Sequence, residues 1–145
     1  MSQQHTIILL IGLCFVAIYI IWNVFFKQRK QYFSRPIITK FETRMFVRLH
    51  QAFPHHHILT QVAFSALITS EDYKFRNQFN RKVTDFVITT KSMQVVAIIE
   101  LDDPSHKGKE QEDAFRDYML NQAGYRVFRY TAIPSTTQLR KDLLS

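Results

Sequence analysis

The sequence predicts a small α/β domain carried behind one apolar helix. Three features predict it: an uncharged run at residues 7–26, β-branched runs at 83–90 and 95–101, and helix signals that bracket and separate those runs. The chain has 145 residues, room for one domain and a tail.

The segment Ile7 to Phe26 (IILLIGLCFVAIYIIWNVFF) holds no charge. Roughly 20 apolar residues at about 1.5 Å rise span the ~30 Å hydrocarbon core of a bilayer. Trp22 stands near one end, where an indole suits the headgroup layer. A cleaved secretory signal would need a basic leader and a small-residue cleavage site. Residues 1–6 hold no Lys or Arg, and Lys27-Gln28-Arg29-Lys30 follows the run. The segment is therefore expected to be a retained transmembrane helix with the lipid bilayer as partner. With Lys27, Arg29, Lys30 and Arg35 all behind it, the positive-inside rule places residues 1–6 outside and the domain in the cytoplasm. Residues 27–36 read as a basic juxtamembrane linker and residues 37–145 as the cytosolic domain.

The only cysteine, Cys14, lies in the apolar run, so an internal disulfide is excluded. The net charge of +7 is mostly juxtamembrane. Without those four cations, 15 basic face 12 acidic side chains, which permits a polyanionic partner without demanding one.

Thr39-Lys40-Phe41-Glu42 is a capping box opening a helix over 40–53, with Met45, Leu49 and Ala52/Phe53 inward. Residues 58–68 have strand character, with Ile58, Thr60, Val62 and Phe64 expected on one face. Residues 69–82 read as polar and irregular. Residues 83–90 form a second strand, 91–93 a turn, and 95–101 a strand buried on both faces. A helix over 109–123 is expected to turn Phe115, Tyr118/Met119 and Gln122/Ala123 inward, with Gly124 just past its end. A fourth strand covers 125–130. Ser135 to Gln138 opens a short last helix with Leu139 and Leu143 inward. The second and third strands should form an antiparallel hairpin, and the third and fourth a parallel crossover.

If the turn is centred between Ser92 and Met93, paired residues sum to 185 and Asp85 faces Glu100. Asp102 shares that face by alternation. Three acids would then converge at one end of an apolar hairpin, and a bound Mg²⁺ or Mn²⁺ would relieve their repulsion. Such a metal polarises a phosphodiester and activates water. A one-residue slip would send Asp85 to the other face, and the alternative is that these acids simply end their strands in solvent. Tyr73-Lys74-Phe75-Arg76 with Phe79, Arg81 and Lys82 interleaves aromatic and basic residues, as nucleic-acid surfaces do; a partly buried lid over the core reads equally from the same residues. His55-His56-His57 lacks a partner at zinc-ligand spacing.

The segments VTDFVITT and VVAIIELDDPSH, a helix carrying Asp113, Arg116 and Asp117, and NQAGYRVFRY together resemble an uncharacterised bacterial family of the restriction-endonuclease-like (PD-(D/E)XK) nuclease superfamily. The likeness covers roughly residues 37 to 135. It implies an α-β-β-β-α-β(-α) core with a mixed four-stranded sheet flanked by helices, often behind an N-terminal membrane helix, and so a bacterial inner-membrane location. It implies metal-binding roles for Asp85 and Glu100, joined here by Asp102. The superfamily usually places a lysine two residues after the second acid, where this chain has Asp102. Related repair-nuclease-like domains use histidine, which makes His106 the proton-transfer candidate. Lys107, Lys109 or Arg116 would replace the missing cation, with Arg116 best placed to face inward. Glu42 is an accessory candidate, because some members add an acid from the first helix, and Gln61 another, because the first strand could bring it to the site; the alternatives are a helix cap and an ordinary strand residue. The implied activity is metal-dependent hydrolysis of DNA or RNA, with Lys74, Arg76, Arg81, Lys82, Lys107 and Lys109 contacting the nucleic acid. The alternatives are a catalytically degenerate nucleic-acid-binding or interaction module, and a membrane-tethered partner of another subunit.

Overall fold

The structure, a computed structural model, describes residues 3–25, 32–102 and 110–144. The chain divides into two units, Met1–Arg35 and Pro36–Ser145.

The first unit is helix α1, Gln3–Phe25, long and apolar enough to cross a membrane, with no residue of its apolar window buried. Its one strongly polar apolar-run side chain, Asn23, donates from Nδ2 to the Tyr19 carbonyl one turn earlier at 3.0 Å. That bond satisfies the amide inside the helix, as a hydrocarbon solvent requires.

In the second unit the order is α2 (Lys40–Ala52), β1 (His57–Ala63), α3 (Phe64–Leu67), α4 (Tyr73–Phe79), β2 (Val83–Thr89), β3 (Val95–Leu101), α5 (Glu110–Gln122), β4 (Val127–Tyr130) and α6 (Thr136–Leu144). The strands form one sheet in the order β1-β2-β3-β4. The first two pairings are antiparallel and β3–β4 is parallel.

The capping box forms as the sequence predicts: Glu42 N–H donates to Thr39 Oγ1 (3.2 Å), and Thr39 N–H donates to Glu42 Oε2. Helix α2 then buries Met45, Leu49 and Ala52. Together with α6, through Leu139 and Leu143, it covers the sheet face that carries Ile58, Phe86, Ile88, Ala97 and Ile99. The opposite face packs Val87 and Ile98 against Phe64, Phe79 and Leu120, from α3, α4 and α5. Cover on both faces explains why β2 and β3 read as near-continuous apolar runs.

Four local expectations are corrected. First, the strand over 58–68 stops at Ala63, and Phe64–Leu67 is helical. Gln61 has φ of +53°, a left-handed value rare for a residue with a side chain. It breaks the alternation, so Val62 and Phe64 join the core on the opposite face from Ile58. Second, the segment read as irregular contains α4, whose N-cap Asp72 accepts the Lys74 N–H at 2.7 Å. Third, of the residues expected on the inner face of α5, Met119 packs against the core, but Phe115, Tyr118, Gln122 and Ala123 do not turn inward. Those residues are exposed, and Leu120 is the buried one. Fourth, the β2–β3 turn is centred on Ser92. Thr90 and Gln94 are joined by a backbone bond (2.9 Å), and Met93 takes φ of +63°. Between Ile88 and Thr89 the register shifts, because Thr89 pairs with Val95 and Ile88 with Ala97. The extra residue, Val96, restores the predicted sum, so Phe86 pairs with Ile99.

Leu49→Ala, in the sealed core under α2, should cost about 2–5 kcal/mol of unfolding free energy. Val47→Ala on the exposed side of the same helix should stay within about 0.5 kcal/mol. Urea denaturation followed by far-ultraviolet circular dichroism checks both; equal losses would contradict the packing described.

Candidate active site

Continuing the register beyond Phe86–Ile99 puts Asp85 opposite Glu100. Alternation places Asp85 on the face of Val87 and Glu100 on the face of Ile98, which is the side that α5 covers. The β2–β3 ladder ends at Phe86–Ile99, while β3 continues alongside β4 through Glu100–Arg129 and Leu101–Tyr130. At this opening the Asp85 side chain replaces a strand neighbour, since Leu101 N–H donates to Asp85 Oδ2 at 2.7 Å.

Glu100 is only 4% exposed. Arg116, from α5, donates through Nη2 to Glu100 Oε1 (3.0 Å) and to the Val83 carbonyl (2.8 Å). One guanidinium thus ties β3 to β2 where their ladder has ended, and it lies over the Phe64 ring with Cζ 5.4 Å from the ring centroid. Its Nε is buried without a hydrogen bond. Burial pushes the Glu100 carboxyl up to about 7; Arg116 opposes that rise and Asp85 adds to it. Desolvation outweighs the 3.0 Å ion pair. Burial also raises Asp85, against the Leu101 N–H, while the charge of Glu42 raises it further.

On the first strand, the register Thr60–Phe86 and Val62–Thr84 brackets Gln61 opposite Asp85. Gln61 Nε2 donates to Glu42 Oε1 at 3.1 Å. The helix-capping glutamate is thereby linked, through the left-handed Gln61, to the row containing Asp85 and Glu100.

Asp102 is engaged elsewhere. Arg129, beside Glu100 on β4, donates through Nη1 to Asp102 Oδ1 (2.6 Å) and pairs in a fork with both Asp117 oxygens at 2.8 Å. Asp113 lies 3.7 Å from the same guanidinium. Among the described residues no three His, Cys, Asp or Glu side chains stand close enough to hold one ion. A metal at this row would have two protein carboxylates, Asp85 and Glu100, as its donors. Asp85 Oδ1 and Glu100 Oε2 carry no hydrogen bond among the described residues. Mg²⁺ commonly takes one or two carboxylates and completes its shell with water or phosphate.

The expected basic surface is dispersed over α4 and the turn after it. Lys74, Arg76 and Arg81 are exposed; Lys82 pairs with Glu112 at 3.0 Å. His106, Lys107 and Lys109 lie outside the described residues. Arg129 was not singled out in the sequence. Its signal was the i, i+4 pair Asp113/Asp117, which implies a cation packed against that helix face.

A family described as a protein of unknown function (DUF2726) matches residues 34–145. The chain belongs to this family. No curated protein and no solved structure matches the chain. The DUF2726 match spans all the strands and every residue of the site just described.

Glu100 in the folded domain holds its proton up to about pH 7, against 4.5 as its ordinary value. The folded form binds that proton more tightly, so stability falls as pH rises between those values and levels above them. In chelator-containing buffer, wild-type protein should lose melting temperature between about pH 5 and pH 7.5. Glu100→Gln should lose less, keeping only the part that Asp85 contributes with the same sign. Parallel curves for the two proteins would contradict the burial of a charged Glu100.

Proposed function

We propose that this domain is a divalent-metal-dependent phosphodiesterase of the restriction-endonuclease-like kind, acting on DNA or RNA at a membrane surface. The observation that carries the reading is the Asp85–Glu100 row at the open end of the β2–β3 ladder, with one unengaged oxygen on each carboxylate. Mg²⁺ or Mn²⁺ would be held by Asp85 Oδ1 and Glu100 Oε2, and would supply Lewis-acid polarisation of the phosphodiester and an activated water.

The chain's own groups prepare that chemistry. Leu101 N–H fixes one oxygen of Asp85 and leaves the other to the site. Arg116 keeps Glu100 ionisable despite its burial, and its position beside the acid row puts a guanidinium next to the phosphate. Gln61 and Glu42 extend the row at its other end. Asp102 stands where the superfamily's lysine would, and its pairing with Arg129 assigns it to holding α5 against β3 and β4. Proton transfer to the leaving group falls to His106. In this reading the apolar helix α1 is the anchor, and the cations Lys27, Arg29, Lys30 and Arg35 behind it support a domain on the cytoplasmic face of a bacterial inner membrane.

A second reading is supported by the same ion pairs. With Asp102 engaged by Arg129 and Glu100 by Arg116, two of the three acids already have a cation without any metal. A degenerate domain that binds nucleic acid without cutting it would look like this.

The full chain in detergent micelles, given Mn²⁺ and labelled DNA or RNA, should cleave. Asp85→Asn and Glu100→Gln should each lower the rate by more than about a hundredfold, since even outer-shell substitutions at metal sites cost about 10–100-fold. Undiminished cleavage by either variant would remove the mechanism. No cleavage by wild type, with salt-sensitive and metal-independent binding, would establish the second reading.

A further inference from the structure

Helices α4 and α5 lie on the same side of the sheet, both packed through the Phe79–Leu120 core. Two adjoining hollows, both lined by Gln78, run between them. The first, about 320 Å³, is polar and reaches the acid row: Arg81, Lys82 and Glu112 line it with Arg116, the residue bonded to Glu100. The second, about 420 Å³, is apolar and lined by Phe75, Phe115, Tyr118 and Met119.

The aromatic hollow is not core. Phe115 is 40% exposed, Tyr118 54% and Phe75 56%. The Phe115 and Tyr118 rings lie nearly parallel, 19° apart in plane with centroids at 6.3 Å. Both rings are exposed, one helical turn apart, on the same helix whose Arg116 reaches Glu100. Arg76 and Arg81 form no ion pair among the described residues, while Lys82 is paired with Glu112 and Arg116 with Glu100.

We propose that this groove is a subsite for an unpaired nucleotide segment, with bases on Phe115, Tyr118 and Phe75 and phosphates at Arg81, Lys82 and Arg116. The substrate is then single-stranded or splayed nucleic acid, because a duplex keeps its base faces stacked inside and offers the rings nothing. Charge selects the occupant: cations leading into an aromatic hollow match a polyanion with flat apolar faces, and stacking of this kind tolerates any base. This substrate class rests on the reading of the acid row as a phosphodiester site, but its binding does not require cleavage.

The test is fluorescence anisotropy with the full chain in detergent micelles and chelator, so that nothing is cut. The probes are labelled oligo(dT), the same strand with abasic residues in place of thymidines, and a duplex of equal length. Oligo(dT) should bind about tenfold or more tighter than the abasic strand. The double variant Phe115→Leu/Tyr118→Leu, which keeps apolar volume but loses the flat faces, should bind oligo(dT) about tenfold more weakly and the abasic strand unchanged. Arg81→Gln should weaken both strands. Equal affinity of wild type for oligo(dT) and the abasic strand, or for oligo(dT) and the duplex, would overturn the proposal even if the variant fails to fold. Oligo(dT) binding unchanged in a folded variant would overturn it too, leaving the groove to an apolar protein segment. The expected binding pattern without any Mn²⁺-dependent cleavage would sink the phosphodiesterase reading and keep this one; cleavage without the pattern would do the reverse.

Discussion

Arg116 and Glu100 depend on each other, and the middle of the domain depends on both. A carboxylate 4% exposed in the layer between sheet and helix is costly to charge. The guanidinium that meets it comes from α5 and spends a second hydrogen bond on the Val83 carbonyl. That carbonyl belongs to β2 at the point where the ladder to β3 has already ended. A single side chain therefore neutralises the buried acid, closes the gap between two strands and seats a helix on the sheet. Removing it would leave an acid buried without its counter-charge, which is worse than never having placed the acid there.

The same opening explains the odd geometry of its neighbours. β3 leaves β2 to follow β4, so Leu101 N–H turns to the Asp85 carboxylate for its partner. On the other side of β2, Gln61 adopts φ of +53° opposite Asp85 and reaches Glu42. Left-handed backbone at a non-glycine residue costs of order 1–3 kcal/mol and tends to gather at functional sites. Here it also switches the face of β1, which lets Phe64 enter the core beneath Arg116. Strain, charge and strand splay coincide at one end of the sheet, while the other end is an ordinary bulged hairpin.

Much of this was legible in the sequence where the pattern is apolar. The β3 run, the capping box at Thr39, the inward Leu139 and Leu143, and the left-handed Gly124 (φ +88°) follow from residue type alone. The sheet pairing was legible too, although the register at the acid end depends on two compensating details. The turn sits half a residue earlier than expected, and the added Val96 makes up the difference. Periodicity did not show the inward face of α5, of which the family resemblance had singled out Arg116 alone. Its stripe is Asp113, Arg116, Asp117 and Leu120, at helical spacing but mostly charged, whereas the aromatic stripe that hydrophobicity favours points outward. Arg129 stayed hidden for the same reason, because an arginine in a short strand reads as solvent-facing until the acids of α5 are placed above it. Periodicity finds the buried face only when burial is apolar.

The charge balance around the site bears on whether a cation belongs there. Glu42, Asp85, Glu100, Asp102, Asp113 and Asp117 all belong to the connected network, against Arg116 and Arg129. Arg129 is taken up by three of those acids on the β4 side. Arg116 is left to face Glu100, with Asp85 and Glu42 adding further negative charge. Burial is the main reason that both carboxyls are raised, with the neighbouring acids adding to it; protonation relieves that cost, and a bound cation would relieve it when both acids ionise. These are alternatives at the same oxygens. A divalent ion that takes two carboxylates gains most where Asp85 and Glu100 each keep one oxygen without a hydrogen bond among the described residues. The elevated proton affinity and the proposed metal affinity are thus two answers to the same burial of carboxylate charge.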